Sequence, residues 1–279
     1  MPAFDTPEPI SVTIELPVGD VRIIASDRAD TTVTVAPTDA DRDSDVKAAE
    51  RVRVDYSGGR LLVKAPKQYL RFGESGSADV HIELPTGSQL RGTVTSAALR
   101  CEGRLGACRF KSGMGDIELA ETDALHVEAG ISDVVAERVN GHAEVVLGSG
   151  SARLVEVVGS VVAKNTNGDI WVGLAHDDAW LTAGNGPISV DQAESSVVAK
   201  AANGSIRVGG IVRGSTSVET GVGELELGIR AGTAARLDVR TRRGSVRNGL
   251  TSAEGPEAAE ETAQVRARTS LGDIVIRRA

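Results

Sequence analysis

The sequence predicts an all-β fold, a single-stranded β-helix or β-solenoid with a repeat of about 18 residues per coil. Three Asn-Gly pairs support this prediction, because they recur at equal spacing and each precedes the same short apolar alternation. A fixed period of about 20 residues indicates that one supersecondary unit is stacked many times. The pairs are Asn167-Gly168, Asn185-Gly186 and Asn203-Gly204.

Every repeat contains two runs of period-2 alternation, which predict two strands per coil. Period 2 places successive side chains on opposite faces of a strand. A third small apolar position, seen at Val157, Ala175 and Ala193, predicts a short third side of the coil. The first inward position of the leading strand gives this predicted core column: Leu99, Ile117, Val134, Ala152, Ile170, Ile188, Ile206, Leu225, Val246 and Ile274.

The corner residues are explained by the backbone. Asn tolerates the left-handed conformation that tight corners require, and Gly tolerates it better. Stacked Asn side chains at equivalent corners can also hydrogen-bond to one another along the coil. We therefore attribute Asn167, Asn185 and Asn203 to corner structure rather than to a polar binding stripe.

We expect one elongated domain over residues 1–279. Irregular opening strands and loops occupy 1–95, and regular coils occupy 96–279. The repeat drifts only toward the C-terminus, where Gly249 to Thr262 is acidic and rich in alanine. We interpret that stretch as a surface insertion between two consecutive coils.

The opening segment carries shorter signals. Val12 to Leu16 and Gly19 to Ile23 look like the first rung, and Thr32 to Val35 is interpreted as its continuation. A helical turn is expected around Val46 to Glu50. Ser57-Gly58-Gly59 lies between two apolar runs and predicts a hairpin.

Three segments of this opening carry a family resemblance. The Gly19 to Ile23 segment, the Gly59 to Val63 strand and the Ile-Glu-Leu-Pro-Thr-Gly-Ser-Gln-Leu segment from Ile82 to Leu90 occur in this order before the repeats. In this the chain resembles the bacterial putative-adhesin β-strand repeat family of unknown function (DUF4097). The resemblance covers nearly the whole chain. It implies a right-handed single-coil β-helix without established catalytic residues, and some relatives occur in cell-envelope stress systems.

Composition and charge narrow the classes of function. Hydrophobic residues make up 41% but aromatic residues only 3%, which suits a narrow core of Val, Ile, Leu and Ala. The net charge of -8 argues against a nucleic-acid partner, because phosphates demand a basic surface. No apolar run is long enough to predict a transmembrane helix. Met1 to Pro9 lacks the parts of a signal peptide, so we expect a cytoplasmic location, with cell-surface association if another export route is used.

Residues able to carry chemistry are scattered along the chain. The four histidines do not share one position in the repeat. A metal at His176-Asp177-Asp178 would need further donors from neighbouring coils, such as Glu194, and a solvated turn is the favoured interpretation. Cys101 and Cys108 are expected to fill the core rather than to form a redox pair. We therefore expect no catalytic residues, no cofactor, no metal and no enzymatic activity.

Outward positions offer candidates for partner binding. Trp171 and Trp180 should face outward on different faces of the coil. Tyr69, Leu70, Arg71 and Phe72 form the densest patch, because aromatic and Arg side chains dominate interface energetics. The alternative for this patch is a cap that packs over the solenoid. We take these four residues and Trp171 as the candidate partner-binding residues.

Three hypotheses of function remain open. The first is a non-catalytic β-solenoid scaffold or protein-interaction module, adhesin-like and linked to cell-envelope stress or sensing, with an unidentified protein partner. The second is a carbohydrate-binding or polysaccharide-active β-helix, which needs charged and aromatic residues gathered on one face. The third is a self-assembling filament, since open terminal strands can pair with another copy.

Overall fold

The structure is a computed structural model that describes residues 2–66, 76–251 and 261–279. Strands make up 71% of the chain and helix 3%, which confirms the all-β class. Contacts group the chain into two compact units, Met1–Glu137 and Arg138–Ala279. The single domain that the sequence indicates stays a prediction.

The first unit contains ten strands and one short helix among its described residues. In chain order they are β1 (Ala3–Asp5), β2 (Ser11–Val18), β3 (Val21–Ser26), β4 (Asp30–Pro37), α1 (Asp43–Glu50), β5 (Arg53–Ser57), β6 (Arg60–Lys64), β7 (Ala78–Pro85), β8 (Gln89–Ser96), β9 (Leu99–Met114) and β10 (Ile117–Ile131). The next strand along the chain is β11 (Val134–Val139).

The rungs of the first unit do not follow chain order. Strand β2 pairs in parallel with β6 on one edge and with β8 on the other, so Val12 lies opposite both Leu61 and Leu90. Strand β3 likewise lies between β7 and β9. We call the strands of one coil a rung. The rung of β6 and β7 therefore lies nearer the end of the stack than the rung of β2 and β3, although it comes later in the chain.

Strand β4 corrects one prediction. It runs antiparallel to β7, with Val33 opposite Ile82, and antiparallel to β1. The interpretation of Thr32 to Val35 as a continuation of the opening rung is therefore wrong. The physical reason is edge protection, because an unpaired outer edge of β7 would leave a row of backbone donors and acceptors open to other chains.

Two other local predictions agree with the structure. Strands β5 and β6 pair antiparallel as the expected hairpin, with Gly58 and Gly59 at φ of 55° and 72°. The expected helical turn is part of α1, which begins three residues earlier than Val46, at Asp43. Within the described part of the chain, no helix has the length and apolar character needed to cross a membrane.

The second unit is built from fourteen further strands among its described residues. They are β12 (Ala143–Ser149), β13 (Ala152–Val157), β14 (Val161–Asn167), β15 (Ile170–Ala175), β16 (Ala179–Asn185), β17 (Ile188–Ala193), β18 (Val197–Asn203), β19 (Ile206–Ile211), β20 (Gly214–Val222), β21 (Leu225–Ile229), β22 (Thr233–Arg243), β23 (Val246–Asn248), β24 (Glu261–Leu271) and β25 (Ile274–Arg278).

The parallel register of the second unit confirms the predicted length of the coil. Ile188 lies opposite Ile170 on one side and Ile206 on the other, each one repeat of 18 residues away in the chain. The third side is also present, because Ala175 and Ala193 are register partners and both are buried. Each coil thus contributes two strand faces and a short third side to one apolar column.

The order of the last coils differs from the prediction. Leu225 lies opposite Ile274, and Ile274 in turn lies opposite Val246. Strand β25 is therefore placed between β21 and β23, so the column is not Leu225, Val246, Ile274 in sequence. Val246 belongs to the outermost rung and is 46% exposed, whereas Ile274 is fully buried.

The predicted insertion from Gly249 to Thr262 is only partly described. Residues 252–260 lie outside the described residues. Strand β24 already begins at Glu261, so the last two residues of the predicted insertion belong to a strand. Thr262 lies opposite Ala234 in β22.

The corners of the coil use glycine, as predicted, but not asparagine, for the left-handed backbone. Among the described residues, every positive φ belongs to glycine, including Gly168 and Gly186 at 125° and 136°, so asparagine does not supply the left-handed backbone. A Cβ on Gly186 would lie 2.2 Å from the carbonyl oxygen of Gly168, one coil earlier. Glycine is required there by conformation and by close stacking together.

Candidate interaction surface

Three strands of the second unit that are neighbours in the sheet present a flat outer surface. Alternate residues of β14, β16 and β18 point into the core, and the residues between them point outward. Because the strands are parallel and in register, equivalent outward residues form straight rows across them. We call two of these rows the Trp180 platform: Val162, Trp180 and Val198 in one row, and Lys164, Thr182 and Lys200 in the next.

The indole of Trp180 is the main apolar feature of the platform. Its residue is 44% exposed, and it lies between the half-buried side chains of Val162 and Val198 on the neighbouring strands. The outward positions beyond the lysine row include Gly184 and Ala202, which are too small to rise above the sheet. The indole is thus accessible on an open surface, and Trp is a residue type enriched at binding hot spots.

The two lysines of the platform are exposed. Neither Lys164 nor Lys200 has an ion-pair partner among the residues that the structure describes, although Glu219 is the register neighbour of Lys200. On the other strand face, by contrast, Arg207 pairs with Glu226 at 3.7 Å. The lysines lie two rungs apart, a separation of about 9.6 Å at the usual strand spacing.

The lysine row continues into the last coils of the unit. Beyond Lys200 the register leads through Glu219 in β20 and Arg268 in β24 to Arg240 in β22. The carboxylate of Asp238 forms ion pairs with the guanidinium groups of Arg240, Arg266 and Arg268, at N–O distances of 3.3, 3.5 and 3.6 Å. One carboxylate among three guanidinium groups leaves a surplus of positive charge. We call these three arginines the arginine cluster.

A ladder of asparagines borders the platform at the corner of the coil. The Nδ2 atom of Asn203 donates to Oδ1 of Asn185, and Nδ2 of Asn185 donates to Oδ1 of Asn167, both at 2.9 Å. These hydrogen bonds confirm the predicted stacking of Asn side chains along the coil. The ladder keeps the ends of β14, β16 and β18 aligned and gives the platform a polar edge.

Trp171 lies on the other strand face, in β15, as the alternation predicted. The guanidinium carbon of Arg153 lies 3.9 Å from the ring centroid, a cation–π arrangement. The Cη2 atom of Trp171 lies 2.8 Å from the place where a Cβ on Gly173 would be, so the ring leans over that glycine. The residue is half-buried by these neighbours. Its role in partner binding stays a prediction.

The other predicted binding residues are Tyr69, Leu70, Arg71 and Phe72. They belong to residues 67–75, which lie outside the described residues. Whether they form a binding patch or a cap stays a prediction.

His176 is the centre of a hydrogen-bonded cluster on the third side of the coil. Its Nδ1 atom lies 2.8 Å from Glu194 and its Nε2 atom 3.0 Å from Glu156, so the ring bridges carboxylates of the coils before and after it. The hydrogen bonds with Glu156 and then Glu194 raise the pKa of His176. The hydrogen bond with His176 is also the main cause that lowers the pKa of Glu156, which Arg138 contacts as well. The cluster ties three coils together.

The candidate metal ligands and the two cysteines can now be compared with their surroundings in the structure. Within the described ranges, no group of three or more His, Cys, Asp and Glu side chains is arranged to hold a metal ion. Cys101 and Cys108 are both free and buried, which confirms that they fill the core. Burial raises the pKa of the Cys108 thiol to about 12 and that of Cys101 well above its usual value.

The first unit carries a shallow groove of about 390 Å³ whose lining includes Arg22, His81 and Arg100. Its arginines are occupied, because Arg22 pairs with Glu102 and Arg100 with Glu118, both at 2.8 Å. Paired charges of this kind hold neighbouring rungs together, and the lining also includes the carboxylates of Asp20, Asp79 and Asp116.

The platform was not predicted from the sequence, although its signal was present. Val162, Trp180 and Val198 are each separated by one repeat, as are Lys164, Thr182 and Lys200. Aligning outward positions by the same period that revealed the core column would have brought these rows together. The alternation predicts that Trp180 faces outward, but one outward position does not by itself predict a row.

Solved structures with low likeness to this chain cover nearly all of its length. One is a putative adhesin from Bacteroides fragilis NCTC 9343 (12% identity, 99% of this chain and 95% of that chain covered, TM-score 0.29). Another is a putative adhesin from Parabacteroides merdae ATCC 43184 (9%, 98% and 94%, 0.37). A third is a putative lipid binding protein from Parabacteroides distasonis ATCC 8503 (14%, 98% and 95%, 0.33).

Comparison with curated proteins gives no match. The model of the Toastrack DUF4097 family, in contrast, matches residues 10–277, which is nearly the whole chain. The match agrees with the resemblance carried by the opening segments and with the stacked parallel coils. This chain belongs to the Toastrack DUF4097 family.

Proposed function

We propose that this protein is a non-catalytic interaction module, adhesin-like in the sense that it holds a partner on the outer face of its coils. The Trp180 platform is the contact surface. The observation that supports this proposal is the exposed indole of Trp180, in an apolar row with Val162 and Val198 and beside two lysines without ion-pair partners among the described residues. A binding partner would cover apolar surface and compensate charge at the same place.

The proposal has two finer parts, a biological role and a location. A role in cell-envelope stress or sensing is supported by the family resemblance. We also propose a location in the cytoplasm, or at the cell surface after export by another route. Neither changes which residues form the contact surface.

A cell-binding measurement tests the proposal. The fluorescently labelled protein is incubated with bacterial cells and with isolated envelopes, and the bound fraction is compared with that of Trp180→Ser. The expected result is strong loss of binding, because the substitution removes the exposed indole from the platform. The matched control is Trp171→Ser, which removes the same residue type from the other strand face and should leave binding unchanged.

Melting curves of both variants keep the result interpretable. If Trp180→Ser stays folded and binds as the unsubstituted protein does, the platform is not the contact surface and the proposal is wrong. If only Trp171→Ser loses binding, the contact surface is the face of β15.

Self-assembly is a second candidate function, and one observation favours it. Strand β22 pairs with β24 on one edge, and no other described strand pairs with its second edge. An open edge can pair with another copy, but charged side chains such as those of Arg240 and Arg242 on this strand oppose pairing. Light scattering over a range of protein concentrations tests it. A mass that grows with concentration supports assembly, and a constant monomer mass excludes it.

A further inference from the structure

We infer that the Trp180 platform and the arginine cluster together bind a linear acidic polysaccharide, laid across the strands along the axis of the second unit. This inference rests on the proposed function and names the chemical class of its partner. It depends on three features of the same sheet face: the spacing of its cations, the surplus of positive charge, and the exposed indole.

The first three cations of the row occur on alternate rungs, and Arg240 follows on the rung next to Arg268. Lys164 in β14, Lys200 in β18 and Arg268 in β24 share one row, with Thr182 and Glu219 on the rungs between them. At the usual spacing of strands this places a positive charge about every 9.6 Å. An extended polysaccharide advances by a similar length over two sugar units. A polymer with one carboxylate on every second sugar therefore matches the row.

The row is longer than a small anion can span. From Lys164 to Arg240 it crosses five strand spacings, or about 24 Å. A small anion would occupy one cation, whereas an extended chain can contact all of them. The guanidinium groups of Arg240 and Arg268 add a planar fork of donors, which fits a carboxylate with two parallel hydrogen bonds.

The charge of this face is opposite to that of the whole protein. The chain carries a net charge of -8, yet Lys164 and Lys200 have no ion-pair partner among the described residues, and three arginines share Asp238. At Lys164 and Lys200 a carboxylated chain would gain attraction without displacing an ion pair, and at the arginine cluster it would add a second carboxylate beside Asp238. The attraction should weaken with salt, because exposed charges are screened within about 8 Å at physiological ionic strength.

Trp180 distinguishes a sugar chain from other polyanions. An indole on a flat, open surface can lie against the C–H face of a pyranose ring, and Val162 and Val198 extend the apolar strip along the polymer axis. Nucleic acid carries a phosphate on every nucleotide, a denser charge than Lys164, Lys200 and Arg268 provide on alternate rungs. The acidic remainder of the protein would repel such a dense polyanion more strongly. The geometry therefore favours a sparsely charged glycan.

Isothermal titration calorimetry with hyaluronan oligosaccharides tests the inference, because hyaluronan carries one carboxylate on every second sugar. The expected result is measurable binding that falls as salt rises, and none to dextran, a neutral glucan. The double variant Lys164→Gln/Lys200→Gln should bind on the order of tenfold more weakly or worse, since it removes two hydrogen-bonding charges. The control Arg153→Gln/Arg207→Gln makes the same charge change on the other strand face and should bind normally.

The outcomes separate this inference from the proposed function. Absence of binding to hyaluronan by the folded protein overturns the inference, and so does equal loss in the control variant. Binding of single-stranded polydeoxythymidylate that is tighter than hyaluronan binding, and that is lost in the lysine variant, assigns the face to nucleic acid instead. If hyaluronan does not bind but Trp180→Ser still abolishes cell binding, the interaction surface stands and only the ligand class is wrong.

Discussion

Leu225 lies directly opposite Ile274 in the parallel register, although Val246 comes between them in the chain. Strands β24 and β25 thus enter between the rung of β20 and β21 and the rung of β22 and β23. The first unit has the same feature, since β2 and β3 lie between a later rung and the rung after it. The strands near each terminus of the chain, β2 and β3 in the first unit and β24 and β25 in the second, are therefore paired on both edges. This pairing hinders fraying from the chain termini.

The order of the last coils predicts unequal effects of two matched substitutions. Ile274→Asp should prevent folding or lower the free energy of unfolding by several kcal/mol, about 3 or more, because it buries an unpartnered charge. Val246→Asp should change it by only about 0.5 kcal/mol, as for other exposed positions. Urea unfolding measures both. If both variants lose the same large amount of unfolding free energy, Val246 is buried like Ile274, and the sequential order of coils predicted from the sequence is correct.

A second pair of substitutions tests the glycine corner. Gly186→Ala should lower the free energy of unfolding by about 3 kcal/mol, since it combines a left-handed backbone with a clash against Gly168. Gly232→Ala is the control, because Gly232 has a φ of 81° but nothing within 4 Å of an added Cβ. We expect about 1 kcal/mol there, from backbone strain alone. If both variants lose the same amount, close stacking at the corner contributes nothing.

The His176 cluster predicts a dependence of stability on pH. The raised pKa of His176 adds stability that is present below its usual value of 6.5 and is lost as the pH rises through the raised pKa. The lowered pKa of Glu156 adds stability that is present above its usual value of 4.5 and is lost as the pH falls through the lowered pKa. Both contributions are present between these two values, where a protonated ring can donate to both carboxylates.

Urea midpoints of the unsubstituted protein and of His176→Gln check this dependence. The difference in midpoint should be largest near about pH 5.5 and should shrink at higher pH, as the ring loses its proton. The other three histidines are present in both proteins and cancel in the comparison. A difference that grows steadily toward alkaline pH would contradict the assigned role of His176.

The buried cysteines predict low thiol reactivity. Because burial raises the pKa of both thiols, little thiolate forms near neutral pH, and the sulfur atoms are also shielded from reagents. A colorimetric thiol reagent should therefore detect no thiol in the native protein and two in urea. Rapid reaction under native conditions would show that the core around Cys101 and Cys108 opens.

The sequence predicted the coil because each coil repeats one local pattern. The alternation that buries Ile170, Ile188 and Ile206 is a property of single strands, so the period and the core column could be found without contacts. The order of the end coils could not, because a strand has the same alternation wherever it is inserted. Val246 and Ile274 show this, since both fit the pattern but only one is buried.

The candidate surface was harder to predict than the core. Outward positions have no common polarity, and their meaning depends on which residues become neighbours across strands. Lys200 and Glu219 occupy equivalent outward positions in adjacent repeats, yet the structure shows no ion pair between them. Trp171 and Trp180 looked equivalent, and only the structure shows Arg153 against the ring of Trp171 and an open surface at Trp180.

Hydroxyl-radical footprinting of the two tryptophans tests the proposed contact surface most directly, because it compares both faces in one unsubstituted protein. The oxidation rates of Trp180 and Trp171 are measured by mass spectrometry for the free protein and for the protein bound to bacterial envelopes. The proposal predicts that binding slows oxidation of Trp180 severalfold and leaves the rate at Trp171 unchanged. Bound protein in which Trp180 is oxidised as fast as in the free state would contradict it.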